Sequence, residues 1–271
     1  FKLGIVAATD THIGAAGAVD EARFPGSIGL DRYAMDRMPD PLEIPGVAKA
    51  DASRFNPGGI AGIWAEENTR ESLFAAMQRR ETFGTSGPRI LPRLFAGWNY
   101  ETDMCNSADM LKEAYAQGVP MGGDLPTPSN KNSQPTFLVN AFMDSQTGAT
   151  ELQKIQIVKG WTDAGGNMHQ QVINVVGDEH PRGGVDPNTC QRSGRGHATL
   201  CGVWRDENFE INQSTVYYAR VVENPSCRWT TFDCNSIPQS ERPAACFSET
   251  LPKVIQERAW TSPIWYSAPN R

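Results

Sequence analysis

Long apolar runs are missing from this chain: none reaches the roughly 18 residues that a membrane-spanning helix needs. No CxxC pair occurs, which argues against a zinc ribbon. There is no GxSxG elbow, no phosphate-binding glycine loop and no Cys–His nucleophile pattern. Histidine is scarce: His12, His169, His180 and His197 are the full set, and none sits in an HxH or HxxxH pair. Cations are outnumbered, 25 Lys and Arg against 31 Asp and Glu, for a net charge of −6. Binding a phosphate backbone needs clustered Lys and Arg, so nucleic acid is excluded as the main partner.

What is present suffices for a packed interior. The 271 residues are 39% hydrophobic and 21% charged, enough for one large domain or two ordinary ones. The chain has no initiator Met and no signal peptide, and it begins inside an apolar run; this reads as the C-terminal portion of a longer protein. Five of the six cysteines, Cys190, Cys201, Cys227, Cys234 and Cys246, fall in late loops rich in Pro, Ser, Asn and Gly, while Cys105 stands alone. Spaced loop cysteines read as disulfides, hence a periplasmic or secreted location; buried reduced thiols are the other reading. Six cysteines allow 15 pairings. The expected first pair is Cys190 with Cys201, across a hairpin, with a second among Cys227, Cys234 and Cys246.

Along the chain, Phe1 to Thr9 (FKLGIVAAT) reads as a buried strand that runs straight into Asp10-Thr11-His12. Residues 13–60 are mostly irregular, with weak helix candidates around Gly29–Arg37 and Gly46–Ala52; so long a stretch is often a functional loop. A clear helix follows. Asn68 or Thr69 can cap it, Leu73, Phe74 and Met77 form its apolar stripe, and Arg79 and Arg80 complement its dipole at the end. A break over 82–88 leads to a strand over 89–98 and a second helix over 109–117. From Pro135 onward, strand-like runs alternate with turn signals: 136–144, 152–161, 169–177, 198–204 and 215–222. Ile155, Ile157 and Lys159 share one face of their strand, Asp163–Asn167 is a hairpin loop, and 254–266 reads as a last strand returning to the core. These patterns predict an α+β protein with two parts, 1–134 and an antiparallel β-rich lobe over 135–271.

Three stretches are specific in combination: TDTH at 9–12, GGIAGIWAEENTRESLFAAMQRRETFGTSGPRI at 58–90, and QERAWTSPIWY at 256–266. Together they resemble a bacterial family known only as a domain of unknown function and related to the polymerase-and-histidinol-phosphatase metallohydrolases. The resemblance covers nearly the whole chain. It implies that residues 1–134 are the C-terminal part of a distorted β/α barrel with metal ions at the strand ends, and that Asp10 and His12 are ligands to that centre. The HxH element of such proteins is absent from this sequence, so the resemblance implies a site completed by a missing N-terminal part of the same protein.

A carboxylate and an imidazole suit zinc, manganese or iron, and a completed site would activate water against a phosphoester, ester or amide. A capped turn with a satisfied His is the plain structural alternative for Asp10 and His12. In the 85–89 loop, Thr85 and Arg89 are the candidate catalytic residues, with hydroxyls, N–H groups and a guanidinium suited to an anionic small-molecule substrate; a simple helix-to-strand turn explains the same residues. Glu67 and Arg70 read as helix capping and surface charge, or as pocket lining. His169, His180 and His197 read as solvated loop residues, and Trp229, Trp260, Trp265 and Tyr266 as core or interface. The expectation is therefore part of an exported metal-dependent hydrolase, inactive by itself. The competing expectation is a non-catalytic secreted binding or structural β module.

Overall fold

The computed structural model describes residues 2–26, 56–146 and 149–269. The helix candidates around Gly29–Arg37 and Gly46–Ala52 lie outside these residues. Residues 2–9 run extended but join no ladder, and Leu3 and Val6 are 68% and 67% exposed, so the expected buried first strand is instead a surface segment. A short 3-10 turn, Glu21–Arg23, follows, with the Ala22 N–H capped by the Asp20 side chain.

Strand β1 (Ile60–Ile63) leads to helix α1 (Arg70–Gln78). The Thr69 hydroxyl caps it by accepting from the Ser72 N–H, the local logic expected of a Thr followed by a helix-forming run. Next come β2 (Thr82–Thr85), β3 (Leu91–Gly97), α2 (Met110–Gln117), β4 (Gly118–Pro120) and β5 (Asp124–Leu125). The β-rich stretch holds β6 (Thr136–Phe142), β7 (Leu152–Thr162), β8 (Met168–Gly177), β9 (Gly184–Val185), β10 (Arg192–Ser193), β11 (Thr199–Arg205) and β12 (Thr215–Glu223). After β13 (Ser226–Cys227) and α3 (Trp229–Ser236), the chain closes with β14 (Val254–Ile255), β15 (Arg258–Thr261) and β16 (Ile264–Tyr266).

Two sheets form the body. In the larger one, β12 pairs with β7 on one edge and with both β15 and β16 on the other; β8 extends the β7 side, and β2 and β1 extend the β15 side. The smaller sheet has the order β11-β6-β3-β4. Both draw strands from either side of residue 134. Pairing is antiparallel except between β5 and β16, and the described residues form no closed barrel. A β/α barrel needs parallel strands joined by crossover helices; here three helices of eight or nine residues flank antiparallel ladders, so the barrel expected from resemblance is not shown. The mixed α+β class holds. Among the described residues no helix is long and apolar enough to cross a membrane.

The inward faces of the two sheets meet in one core. Leu94, Phe137, Val139, Ile155, Ile157, Tyr217, Val221 and Ile264 are all fully buried, and burying each aliphatic or Phe side chain of this kind contributes about 1.5–3 kcal/mol. The opposite face of the small sheet is covered by α2, where Phe95 and Leu138 meet Tyr100, Met104 and Ala114. A third, smaller cluster joins Phe24 to Trp229, Cys234 and Ile237, so the 3-10 turn near the start of the chain packs on α3.

All six cysteines are paired: Cys105–Cys201, Cys190–Cys227 and Cys234–Cys246. The expected Cys190–Cys201 bridge is corrected. Cys201 lies in β11, whose ladder to β6 carries it toward α2 and Cys105; Cys190 lies at the turn before β10 and meets β13. The expected pair within Cys227, Cys234 and Cys246 is found as Cys234–Cys246.

Candidate functional site

The surface segment 2–9 is laid across β1, β2 and the end of β15 by three long-range hydrogen bonds. Ile5 N–H donates to Ser262 Oγ at 2.8 Å, Thr82 Oγ1 donates to the Ile5 carbonyl at 2.8 Å, and Gly59 N–H donates to the Ala8 carbonyl at 2.8 Å. Glycine makes this approach feasible: a Cβ on Gly59 would stand 1.9 Å from the Thr85 carbonyl oxygen and 2.9 Å from Ala7 Cβ. The chain then reverses at Asp10, whose φ of 54° lies in the left-handed region that Asp tolerates better than most residues. Thr11 N–H donates to Thr9 Oγ1 at 3.3 Å and closes the turn.

This turn throws the Asp10 and His12 side chains outward. They are 100% and 68% exposed, and Asp10 Oδ1 lies 4.0 Å from His12 Nε2. Neither has another polar partner among the described residues. A carboxylate and an imidazole at this spacing fit two positions of a metal's shell, but a hydrolytic centre takes at least three protein ligands. Among the described residues no group of three or more His, Cys, Asp or Glu is arranged to hold a metal. The remaining histidines do not help: His169 pairs with Asp163 at 2.8 Å, His197 with Asp178 at 3.0 Å, and His180 is exposed.

The 85–89 loop lies at the same end of β1 and β2 as this turn, through Gly58 and Gly59. Thr85 is buried, and its hydroxyl accepts from the Gly87 N–H at 3.2 Å, so it is committed to the turn. Ser86 N–H donates to the Arg258 carbonyl at 2.9 Å, and Arg258 N–H donates to Ser86 Oγ at 2.8 Å. Arg89 N–H donates to Asp144 Oδ2 at 2.8 Å, while the Arg89 guanidinium faces solvent. Glu67 and Arg70 are exposed at the start of α1, and the Glu67 N–H donates to Ser72 Oγ, the capping role.

Beneath the loop lies a cluster that sequence reasoning missed. Glu21, Glu223 and Glu257 are 8%, 1% and 3% exposed, and Asp144 is buried beside them. Ser86 Oγ donates to Glu257 Oε2, and the Trp229 N–H at the start of α3 donates to Glu21 Oε2. Burial pushes all three glutamates up, and neighbouring charge pushes two of them further: Glu257 on Glu21, and both Glu257 and Asp144 on Glu223. At Glu257 burial prevails over the lowering pull of Ser86, Arg258 and Arg228. One signal for Glu223 was legible: it continues the inward alternation Tyr217, Ala219, Val221 of β12. Glu21, in an irregular run, carried none.

Two cavities lie elsewhere. One of about 50 Å³ sits between α3 and the Cys234–Cys246 loop, and one of about 270 Å³ is lined by Glu101, Asp103 and Glu113. Neither is lined by Asp10, His12 or the 85–89 loop.

The comparisons give a family and no activity. The family described as "Protein of unknown function (DUF3604)" matches residues 1–268. This chain belongs to that family. No curated protein and no solved structure matches it.

Proposed function

We propose that this DUF3604 chain is part of an exported metal-dependent hydrolase related to the polymerase-and-histidinol-phosphatase enzymes. In this reading Asp10 and His12 hold a divalent metal, zinc, manganese or iron, with further ligands from outside the described residues. The single observation that supports it is the left-handed turn at Asp10, which leaves two good metal donors 4.0 Å apart, exposed and without other partners among the described residues. When bound, the metal would lower the pKa of a water and polarise a phosphoester, ester or amide.

The rest of the chain would position and exclude. The exposed Arg89 guanidinium, above a loop fixed to Asp144 and Arg258, suits an anionic group on a small-molecule substrate. Three disulfides are compatible with an extracellular or periplasmic setting. A second reading, a non-catalytic secreted β module, draws support from the two-sheet core and the three disulfides that brace it.

Metal content by mass spectrometry separates the two. It is measured on this chain and on a version extended upstream, each with and without the Asp10→Ala, His12→Ala double substitution. Stoichiometric metal in the extended protein that disappears in the double variant is the expected result. No metal in either protein would overturn the hydrolase reading and leave the binding module.

A further inference from the structure

Glu21 and Glu257 lie within hydrogen-bonding reach of one another. Each has one oxygen already served: Glu21 Oε2 by the Trp229 N–H, and Glu257 Oε2 by Ser86 Oγ. The other oxygen of each, Oε1, is buried and meets no donor among the described residues. Two carboxylates cannot bond to each other, because both only accept. A proton carried by one and donated to the other would join the two groups.

The surroundings favour that neutral arrangement. Asp20 on the same turn acts on Glu21, and Glu257 together with Asp144 after β6 acts on Glu223 of β12, while Asp233 is buried on α3. The opposing cations are Arg228 at the start of α3, Arg258 on β15, and Arg192 on β10 facing Glu223. Glu223 Oε1 has no donor among the described residues either. Ionising both Glu21 and Glu257 would leave like charges together in a medium where each is costly to bury.

Glu21 also occupies a mechanical position. Its turn is the far anchor of the segment that carries Asp10 and His12; the near anchor is the Ala8–Gly59 hydrogen bond. Between them, Val19 O lies against Gly87, where an added Cβ would come within 2.8 Å.

We propose that Glu21 and Glu257 share one proton and form a pH-sensitive latch that fastens residues 19–24 to α3 and β15, closed at acidic to neutral pH and opened as pH rises. The latch is independent of the metal reading, since every group in it belongs to the described chain. It governs how firmly the Asp10–His12 turn is held.

Carbon-13 titration of the glutamate carboxyls in the metal-free chain tests it. Carboxyl carbons with midpoints above about 6 are expected where an ordinary Glu titrates near 4.3. Glu21→Gln is the matched variant: its amide accepts from the Trp229 N–H and donates to Glu257, as the protonated acid does. It should remove one elevated midpoint and lower a second, because the remaining carboxylate gains a permanent donor. In parallel, hydrogen exchange of residues 19–24, corrected for the intrinsic rate, should show an opening constant rising about tenfold per pH unit in the window where the pair loses its proton. Glu21→Gln should flatten that rise. The proposal is overturned if every glutamate in the unmodified protein titrates near its ordinary value, or if Glu21→Gln leaves the other midpoints and the exchange profile unmoved. Should the variant fail to fold, the titration and exchange profile of the unmodified protein still decide between a shared proton and two ordinary carboxylates.

Discussion

Lys159 Nζ lies 2.6 Å from Asp206 Oδ2 in the interior, with the two side chains 4% and 2% exposed. Lys159 follows Ile155 and Ile157 along the inward face of β7, so its ammonium enters the core and must be met there. The Tyr217 hydroxyl donates to the same Oδ2 at 2.6 Å, and Lys159 also donates to the Asn208 carbonyl at 3.1 Å. Removing one partner leaves the other as an uncompensated buried charge. Asp206→Ala should therefore cost about 3–5 kcal/mol in urea unfolding. Tyr217→Phe, which removes one bond to a charged group, should cost about 1.5–3 kcal/mol. An Asp206→Ala loss of about 1 kcal/mol or less, the scale of a surface pair, would show that the pair is solvated.

Stability should fall as pH rises from acid to mildly alkaline. Glu21 is pushed up to about 8 and Glu257 to about 7, against 4.5 in the unfolded chain. Between those values the folded protein holds protons that the unfolded chain has released. The stabilisation is thus fully present below 4.5, is lost as pH climbs to about 8, and then levels off. Chemical denaturation from pH 4.5 to 9 checks this, and a curve that rises across the window would contradict it. Glu223, raised for the same reasons, adds to the slope, so Glu223→Gln should flatten it in part.

Much of the architecture could be read from period and punctuation. The β-rich half follows the alternation of its strands, and α1 starts where Thr69 can cap. The interior of β7 could be read from Ile155 and Ile157, although not the ion pair that Lys159 makes, because Asp206 is 47 residues away and its approach is set by β11 and β12. Residues 1–9 misled for a physical reason: an apolar run says what a segment prefers to bury, not whether a partner covers it. Only Ile5, Ala7 and Thr9 are half-buried, while Leu3 and Val6 face out. The disulfides misled because sequence proximity cannot register which ladder carries a cysteine where. Of the site, Asp10 and His12 stood out by residue type, whereas the glutamate cluster draws on positions 21, 223 and 257, which only the assembled sheet brings together.

The three disulfides close loops of very different span, with partners 96, 37 and 12 residues apart. If they act by restricting the unfolded chain, their removal should follow that order. Paired Cys→Ala substitutions are expected to cost ~4.7 kcal/mol at Cys105–Cys201, ~3.9 at Cys190–Cys227 and ~2.9 at Cys234–Cys246. Urea unfolding of the three double variants measures the order. A largest loss at Cys234–Cys246 would instead assign the dominant effect to packing in the folded state, where that bridge braces α3 beside Phe24 and Trp229.

Asp10 and His12 separate binding from folding. Their side chains are exposed and have no polar partner but each other among the described residues, so no polar contact of the described fold rests on them. His12→Ala should change stability by no more than about 0.5 kcal/mol, as at other surface sites. Asp10→Asn should be equally silent, since Asn accepts the left-handed conformation that Asp10 adopts. Asp10→Val should cost distinctly more, because a β-branched side chain strains there by about 1–3 kcal/mol. Thermal unfolding of the three variants in the upstream-extended protein, with metal content measured in the same samples, gives a joint readout. Retained stability with lost metal in Asp10→Asn and His12→Ala would mark them as ligands. Stability lost in step with metal in both would mark the turn as structural and remove the observation on which the hydrolase reading stands.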